Sequence, residues 1–184
     1  ILKDFGYYVH WKVYNTFKYT KIPQNRERTI IVCFRNKKSY SYFSNNLIGN
    51  VSSIKPISAM LEKSKIDDKY YYFQDAYNYK ELKKLIKRRD TLYQWRRVYV
   101  RENKNNLCPT LTANMGTGGH NVPLLLDDIG IRKLTPKECF NFQGFKSFKF
   151  PKDVPNSQLY KQAGNSVTIP LIKKIAMNIK LSIN

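Results

Sequence analysis

Thr29-Ile-Ile-Val-Cys-Phe34 is an apolar run of strand length with no polar position to turn toward water. A run so short and so uniformly apolar predicts a strand covered on both faces, as in the sheet of an α/β domain. The residues just upstream carry a second strand signal. Tyr7, Val9, Trp11 and Val13 alternate with His10 and Lys12, the period of a half-buried strand over residues 7–14. Cys33, inside the run, reads as a small buried hydrophobe.

Charge narrows the partners of this core. Of 184 residues, 33 are Lys or Arg and 13 are Asp or Glu, a net charge of +20, while 42% hydrophobic and 14% aromatic content argues against a disordered basic tail. Lys and Arg that neutralise phosphates release condensed counterions, so nucleic acid is the first partner to expect, with solvated lysines serving solubility as the plainer account. No apolar run approaches the roughly 20 residues of a spanning helix, and no signal peptide opens the chain, so neither a membrane nor secretion is expected. Cys33, Cys108 and Cys139 are too few and too widely spaced for a disulfide framework, and with only His10 and His120 to add they form no metal constellation. A reducing cytoplasm is the expected compartment.

Along the rest of the chain, the spacing predicts a short helix near 56–63 and another over 79–89, where Leu82, Leu85 and Ile86 recur at helical intervals. Lys83, Lys84, Lys87, Arg88 and Arg89 on that helix suit either a phosphate backbone or a solvated face. Strands are predicted over 92–100, 107–112 and 122–126. Thr135-Pro-Lys-Glu138 has the chemistry of a helix start, with a Thr cap, Pro at the first position and Glu to close a capping box, and Gly144 is placed to end that helix. Asn156 or Ser157 caps a helix through Gln162, ended by Gly164. From about Thr168 a last helix carries Ile169, Ile172, Ala176, Ile179 and Ile183 as an apolar stripe, with Lys173, Lys174, Asn178 and Lys180 outside.

Four segments carry candidate chemistry. Pro23-Gln-Asn-Arg-Glu-Arg28 puts Arg26 and Arg28 at alternate positions, where an extended chain aims them the same way, as a fork for phosphate or base carbonyl or as part of an ion pair with Glu27. Tyr93 to Arg101 packs Gln94, Arg96, Arg97 and Arg101 among aromatics; Gln and Arg read adenine and guanine edges, though a sheet strand with its arginines in solvent reads the same. Met115-Gly-Thr-Gly-Gly-His120 lacks the Lys and helix start of a phosphate loop and reads as a turn. Gln162-Ala-Gly-Asn-Ser-Val167 joins two helices, where exposed amides with Asn165 and Ser166 suit a carboxylate or ribose, or simply a turn.

In this order, Pro23–Arg28 before a strand, Pro109-Thr-Leu-Thr112, Arg132–Glu138 with Gln143-Gly-Phe145, and Tyr160–Val167 resemble the C-terminal half of DNA cytosine-5 methyltransferases, covering residues 1–35 and 91–184. The resemblance implies an α/β fold: a β-rich target-recognition domain plus the last strand and C-terminal helix of a Rossmann-like methyltransferase catalytic domain. Residues 1–35 would belong to the catalytic domain, 36–150 to the target-recognition domain, and 151–184 would return to the catalytic domain. It also implies that Arg28 contacts the flipped cytosine or its flanking phosphate, with Arg26 and Gln24 holding that site. Gln94 and Arg97 would read bases, Arg96 and Arg101 would bind DNA beside them, and Thr110 to Thr112 would support the DNA-facing strand. Asn165 and Ser166 would bind one end of S-adenosylmethionine. The chain departs from the family at Tyr19-Thr-Lys-Ile22, where a Gly usually precedes Pro-Gln, and at Lys146, where Pro is usual.

Methylation at C5 needs a thiolate to attack C6, an acid at N3 and a bound methyl donor. In the family these come from Pro-Cys-Gln, Glu-Asn-Val and Phe-x-Gly-x-Gly segments, and none is in this sequence. Cys108 precedes its proline, Cys139 lies in a capped helix and Cys33 in an apolar strand, so all three read as structural. The chain, which starts at Ile1, is therefore expected to be a fragment that binds duplex DNA. It would bind cofactor and transfer methyl groups only with an N-terminal catalytic half or a catalytic subunit. Its strand edge at 29–34 would favour self-association. A non-catalytic DNA-binding remnant, a subunit of a split methyltransferase and a basic RNA-binding protein are the alternatives.

Overall fold

The computed structural model describes residues 1–76, 78–96, 99–115, 121–145 and 147–184; Arg97, Lys146 and residues 116–120, read above as a turn from the sequence, lie outside the described residues. In chain order the strands are β1 (Tyr8–Asn15), β2 (Glu27–Phe34), β3 (Tyr93–Arg96), β4 (Tyr99–Glu102), β5 (Leu124–Leu126) and β6 (Ile131–Lys133). The helices are α1 (Thr16–Tyr19), α2 (Lys37–Asn45), α3 (Tyr79–Leu85), α4 (Pro136–Phe142), α5 (Asn156–Asn165) and α6 (Ile169–Ile183). Strands β1 and β2 form an antiparallel pair, and a four-stranded antiparallel sheet runs β4-β3-β5-β6.

Both expected strands are present and pair with each other, but the faces of β1 are reversed from the expectation. Cross-strand partners share a face, and the face packed against α2 and α6 carries His10 opposite Val32 and Lys12 opposite Ile30. His10 meets the edge of the Phe43 ring at 5.3 Å, and Lys12 lays its ammonium 5.5 Å from the Tyr14 and Tyr19 ring centres. Aromatic partners let the two polar residues take the covered side. Trp11 and Ile31, paired on the other face, are 66% and 56% exposed, so β2 is covered on one face here rather than two.

Helix α6 is turned by one position from the expected stripe. Leu171, Ile175, Asn178 and Ser182 face the core, while Ile169, Met177, Leu181 and Ile183 stay exposed. Asn178 can be buried because its amide donates to the Asn46 carbonyl, at the end of α2, and Ser182 can because its hydroxyl donates to the Asn178 carbonyl.

The predicted strand over 92–100 is a hairpin, with Gln94 opposite Arg101 and Arg96 opposite Tyr99, which brings both ends of the Arg-rich segment together. Trp95 is buried beneath it with Leu82, Ile86 and Tyr93. Residues 107–112 form no strand of their own; they lie along the 23–26 segment through the Gln24–Cys108 bridge. The expected helix near 56–63 is a single 3-10 turn, Ile57–Met60.

Helix α4 starts as predicted, with the Thr135 hydroxyl accepting from Glu138 N and the Glu138 carboxylate accepting from Thr135 N. It ends in a Schellman motif. Gly144 takes φ +83°, its N–H donates to Asn141 O, and Phe145 N donates to Phe140 O while the two rings meet edge to face at 5.1 Å. The bidentate pair of Arg132 with Glu138, at 2.8 Å on both arms, ties this helix to β6, and Asp127 takes Arg132 Nε at 2.6 Å. Burial works to lower the Arg132 pKa and is outweighed by the two carboxylates, which raise it.

Candidate nucleic-acid interface

Residues 23–28 leave the chain reversal after β1 in an extended path, so successive side chains point alternately inward and outward. Gln24 is fully buried and its amide donates to Phe142 O at 2.7 Å. Arg26, 2% exposed, spends its guanidinium on main chain: Nη1 donates to Leu111 O at 2.6 Å, and Nη2 to Gly164 O and Ser166 O at 3.0 and 2.7 Å. Burial, reinforced by the neighbouring Arg28, pulls its pKa down to about 10, so the cation persists at neutral pH without a carboxylate. Gln24 and Arg26 thus tie this segment to Phe142, Leu111 and residues 164–166 from within the interior. Arg28, two residues on, is exposed and holds only the Glu27 carbonyl.

Beside this seam opens a polar groove of about 450 Å³, walled by Gln94, Arg96, Arg101, Lys104, Thr110 and Thr112, with Asn25, Asn103 and Asn105 at its side. Every sequence-predicted DNA-binding residue that is described lines it; Arg97 lies outside the described residues. Each element supplies its part for a local reason. The β3–β4 pairing sets Gln94 against Arg101, Arg96 donates to Gln94 Oε1, and Thr110 is fixed by its hydroxyl on Asn25 O at 2.7 Å. The groove lining includes three cations and no carboxylate among the described residues. Such a surface offers amide and guanidinium groups with the donor and acceptor pattern of base-edge reading, and positive charge for phosphates.

Sequence reasoning missed Asn25, Asn103, Lys104 and Asn105. A signal was present in the Asn-Lys-Asn-Asn run of 103–106, whose Asn105 and Asn106 take φ +61° and +50°, a conformation Asn tolerates. The helix expected over 79–89 ends at Leu85, so Lys87, Arg88 and Arg89 lie beyond it, and the basic cluster is partly committed elsewhere: Arg88 pairs with Asp90 and Glu102, and Arg89 with Asp128.

The expected cofactor turn lies at the end of α5. Asn165 is exposed, whereas the Ser166 hydroxyl donates to Ala163 O. Cys108 and Cys139 are fully buried, and burial raises both thiols well above their ordinary pKa, so neither is set up as a nucleophile. Among the described residues no group of His, Cys, Asp and Glu could hold a metal, and no helix is long and apolar enough to cross a membrane. A larger, mainly apolar cavity of about 620 Å³ sits between Ile22, Met60, Phe145 and Pro170 and includes none of the predicted site residues.

Comparison with known proteins places this folded, basic chain in a family. The chain belongs to the C-5 cytosine-specific DNA methylase family, whose pattern matches residues 1–181. It is 49% identical over 185 residues to the Type II methyltransferase M.Bsp6I of Bacillus sp. (strain RFL6), covering 97% of this chain and 56% of that protein. It is 33% identical to M.NgoBI of Neisseria gonorrhoeae, covering 94% and 50%. The chain therefore spans about half the length of the curated relatives it matches. In fold it is similar to the Entamoeba histolytica methyltransferase EhMeth, with a TM-score of 0.72 at 15% identity over 100% of this chain and 56% of that one. The S. pombe Dnmt2 methyltransferase gives 0.68 at 14% identity, over 100% and 61%.

Proposed function

We propose that this chain is the C-terminal, DNA-recognising part of a DNA cytosine-5 methyltransferase of a restriction-modification system. In this reading it acts on duplex DNA, and together with an N-terminal catalytic half it transfers a methyl group from S-adenosylmethionine to C5 of a cytosine turned out of the helix. The observation that carries the proposal is the polar, carboxylate-free groove that gathers Gln94, Arg96, Arg101, Thr110 and Thr112 beside the segment bearing Arg28. The sheet β3–β6 with α3 and α4 forms the recognition domain, and β1, β2 and α6 belong to the catalytic domain. Arg28, exposed at the start of β2, holds the extruded cytosine or its phosphate, while Gln24 and Arg26 act behind it as positioning residues.

The cofactor supplies the methyl group. Asn165 fits one end of it as an exposed amide side chain at a helix-to-helix turn, with the main chain of Gly164 and Ser166 fixed by Arg26. The exposed Trp11–Ile31 face and the outer stripe of Ile169, Met177 and Leu181 on α6 give apolar surface for the catalytic half to cover.

The test is transfer of labelled methyl from S-adenosylmethionine to duplex DNA, by this chain alone and by the two halves together. Transfer only by the combination, lost on Arg28→Ala, supports the reading. Transfer by the chain alone would overturn its division of labour, and a combination that neither binds nor methylates duplex DNA would overturn the function.

A further inference from the structure

Asn103 is 7% exposed and lies against the polar groove, yet its amide Nδ2 has no hydrogen-bond partner among the described residues. Its main chain is committed: N–H donates to Leu92 O at 2.9 Å, and its carbonyl accepts from the Thr91 hydroxyl at 3.0 Å. The main chain at Asn103 is therefore fixed, and its side chain carries a buried donor left over. A buried donor left unsatisfied is costly, and native structures keep few of them. The turn that follows is fixed as well. Asn105 and Asn106 are left-handed, and Arg88 pairs with Asp90 and Glu102 while lying within 3.4 Å of Asn106 Oδ1. This holds the 103–106 turn so that Asn103, Lys104 and Asn105 all line the groove, across from Arg96 and Thr112.

We propose that Asn103 is a specificity-determining residue, whose Nδ2 donates to an acceptor on a base edge, a purine N7 or O6, presented in the groove, directly or through one water. The inference rests on the groove being the DNA-recognition surface, and it separates the roles of the turn. Asn103 reads a base, whereas Lys104, exposed at the rim, contacts phosphate and carries no sequence information. An Asn donor is satisfied by a fixed acceptor and left stranded by an amino group, so its contribution depends on which base pair is present.

The test selects binding sites from a randomised duplex library with the full-length protein, then measures affinity for the selected and singly changed duplexes across a salt series. Asn103→Ala and the near-isosteric Asn103→Asp are expected to lose about five- to 150-fold discrimination at one base pair. Binding to non-selected duplex and the salt slope should be unchanged for Asn103→Ala. Lys104→Ala should keep the base profile and lower the slope by about one. If Asn103→Ala does not fold, Asn103→Asp carries the test. A base profile identical to wild type in a variant that folds would overturn the inference, as would a uniform loss with a reduced slope, which marks a phosphate contact. A wild-type protein that selects no sequence would overturn the reading of the groove as a recognition surface, and Asn103's role with it.

Discussion

Replacing Gly164 with Ala sets two effects of opposite sign against each other. Gly164 lies in the last turn of α5, where helix propensity alone favours Ala by about 1 kcal/mol. A Cβ at this position would stand 2.1 Å from Thr112 O, 2.2 Å from Thr112 C and 2.6 Å from Ala113 N. Ordinary contact between heavy atoms begins near 3.5 Å, so the two backbones would have to separate by about 1 Å. Neither can do so freely. Arg26 holds Leu111 O on one side and Gly164 O and Ser166 O on the other, and Met115 N donates to Thr112 O. Overpacking against fixed backbone costs about 1–3 kcal/mol, occasionally more, and stretching the Arg26 bonds adds to it. Collision wins, and a net loss of about 1–2 kcal/mol is expected, or a fall in Tm of about 2–8 °C for a chain of this size. Urea titration at equilibrium, read by Trp fluorescence, measures it. A Gly164→Ala protein as stable as wild type, or more so, would show that the close approach does not constrain the seam.

The remaining predictions concern charge, ionisation and the open face. Glu138→Ala strands the Arg132 guanidinium in the core with Asp127 as its one remaining carboxylate, and should destabilise by about 3–5 kcal/mol, whereas exchanging Arg132 and Glu138 together for Met and Leu should cost much less; paired urea titrations distinguish these. Tyr71 donates to Asp127 at 2.9 Å, and burial together with that carboxylate pushes its phenol up to about 12. Its folded pKa exceeds the unfolded value near 10, so the stability it contributes is complete below about pH 10 and lost as pH rises toward 12; Tyr71→Phe should flatten stability over that window in a pH series of melts. Trp11→Lys with Ile31→Lys should abolish self-association of the isolated chain in sedimentation velocity while leaving its far-UV CD unchanged, because both side chains already face solvent.

What was legible in the sequence was local. The capping box at Thr135, the Gly144 terminator and the strand signal of the 29–34 run act within a few residues of themselves, and all three appear in the structure, though the run is covered on one face rather than two. Facing was misread where a tertiary partner changed a residue's value. Lys12 is polar by composition, but two tyrosine rings make the covered face acceptable to it, and Asn178 is buried because the end of α2 leaves a carbonyl to accept. The Arg-rich segment read as one strand because no Gly, Pro or Asn marks a turn within residues 93–101. Of the site, Gln94, Arg96, Arg101, Thr110 and Thr112 were legible as chemistry, and the structure brings them together. Gln24 and Arg26 were legible as important but not as interior, since their acceptors are main-chain carbonyls up to 140 residues away. Asn103 escaped notice because its significance lies in a missing partner, which no one-dimensional pattern records.

Arg26 grips only carbonyl oxygens, and that choice of acceptor decides what can vary around it. Leu111, Gly164 and Ser166 offer the same oxygen whatever side chain each bears, so long as the chain keeps its path. The joint is blind to side-chain identity. Residues lining the groove can accordingly be exchanged for others without loosening the clasp behind them. What cannot be exchanged is the hydrogen at the Gly164 α-carbon that lets the two backbones close to this distance. The groove is thus free to drift in chemistry, while the fastening that holds it in position depends on one guanidinium and one missing methyl group.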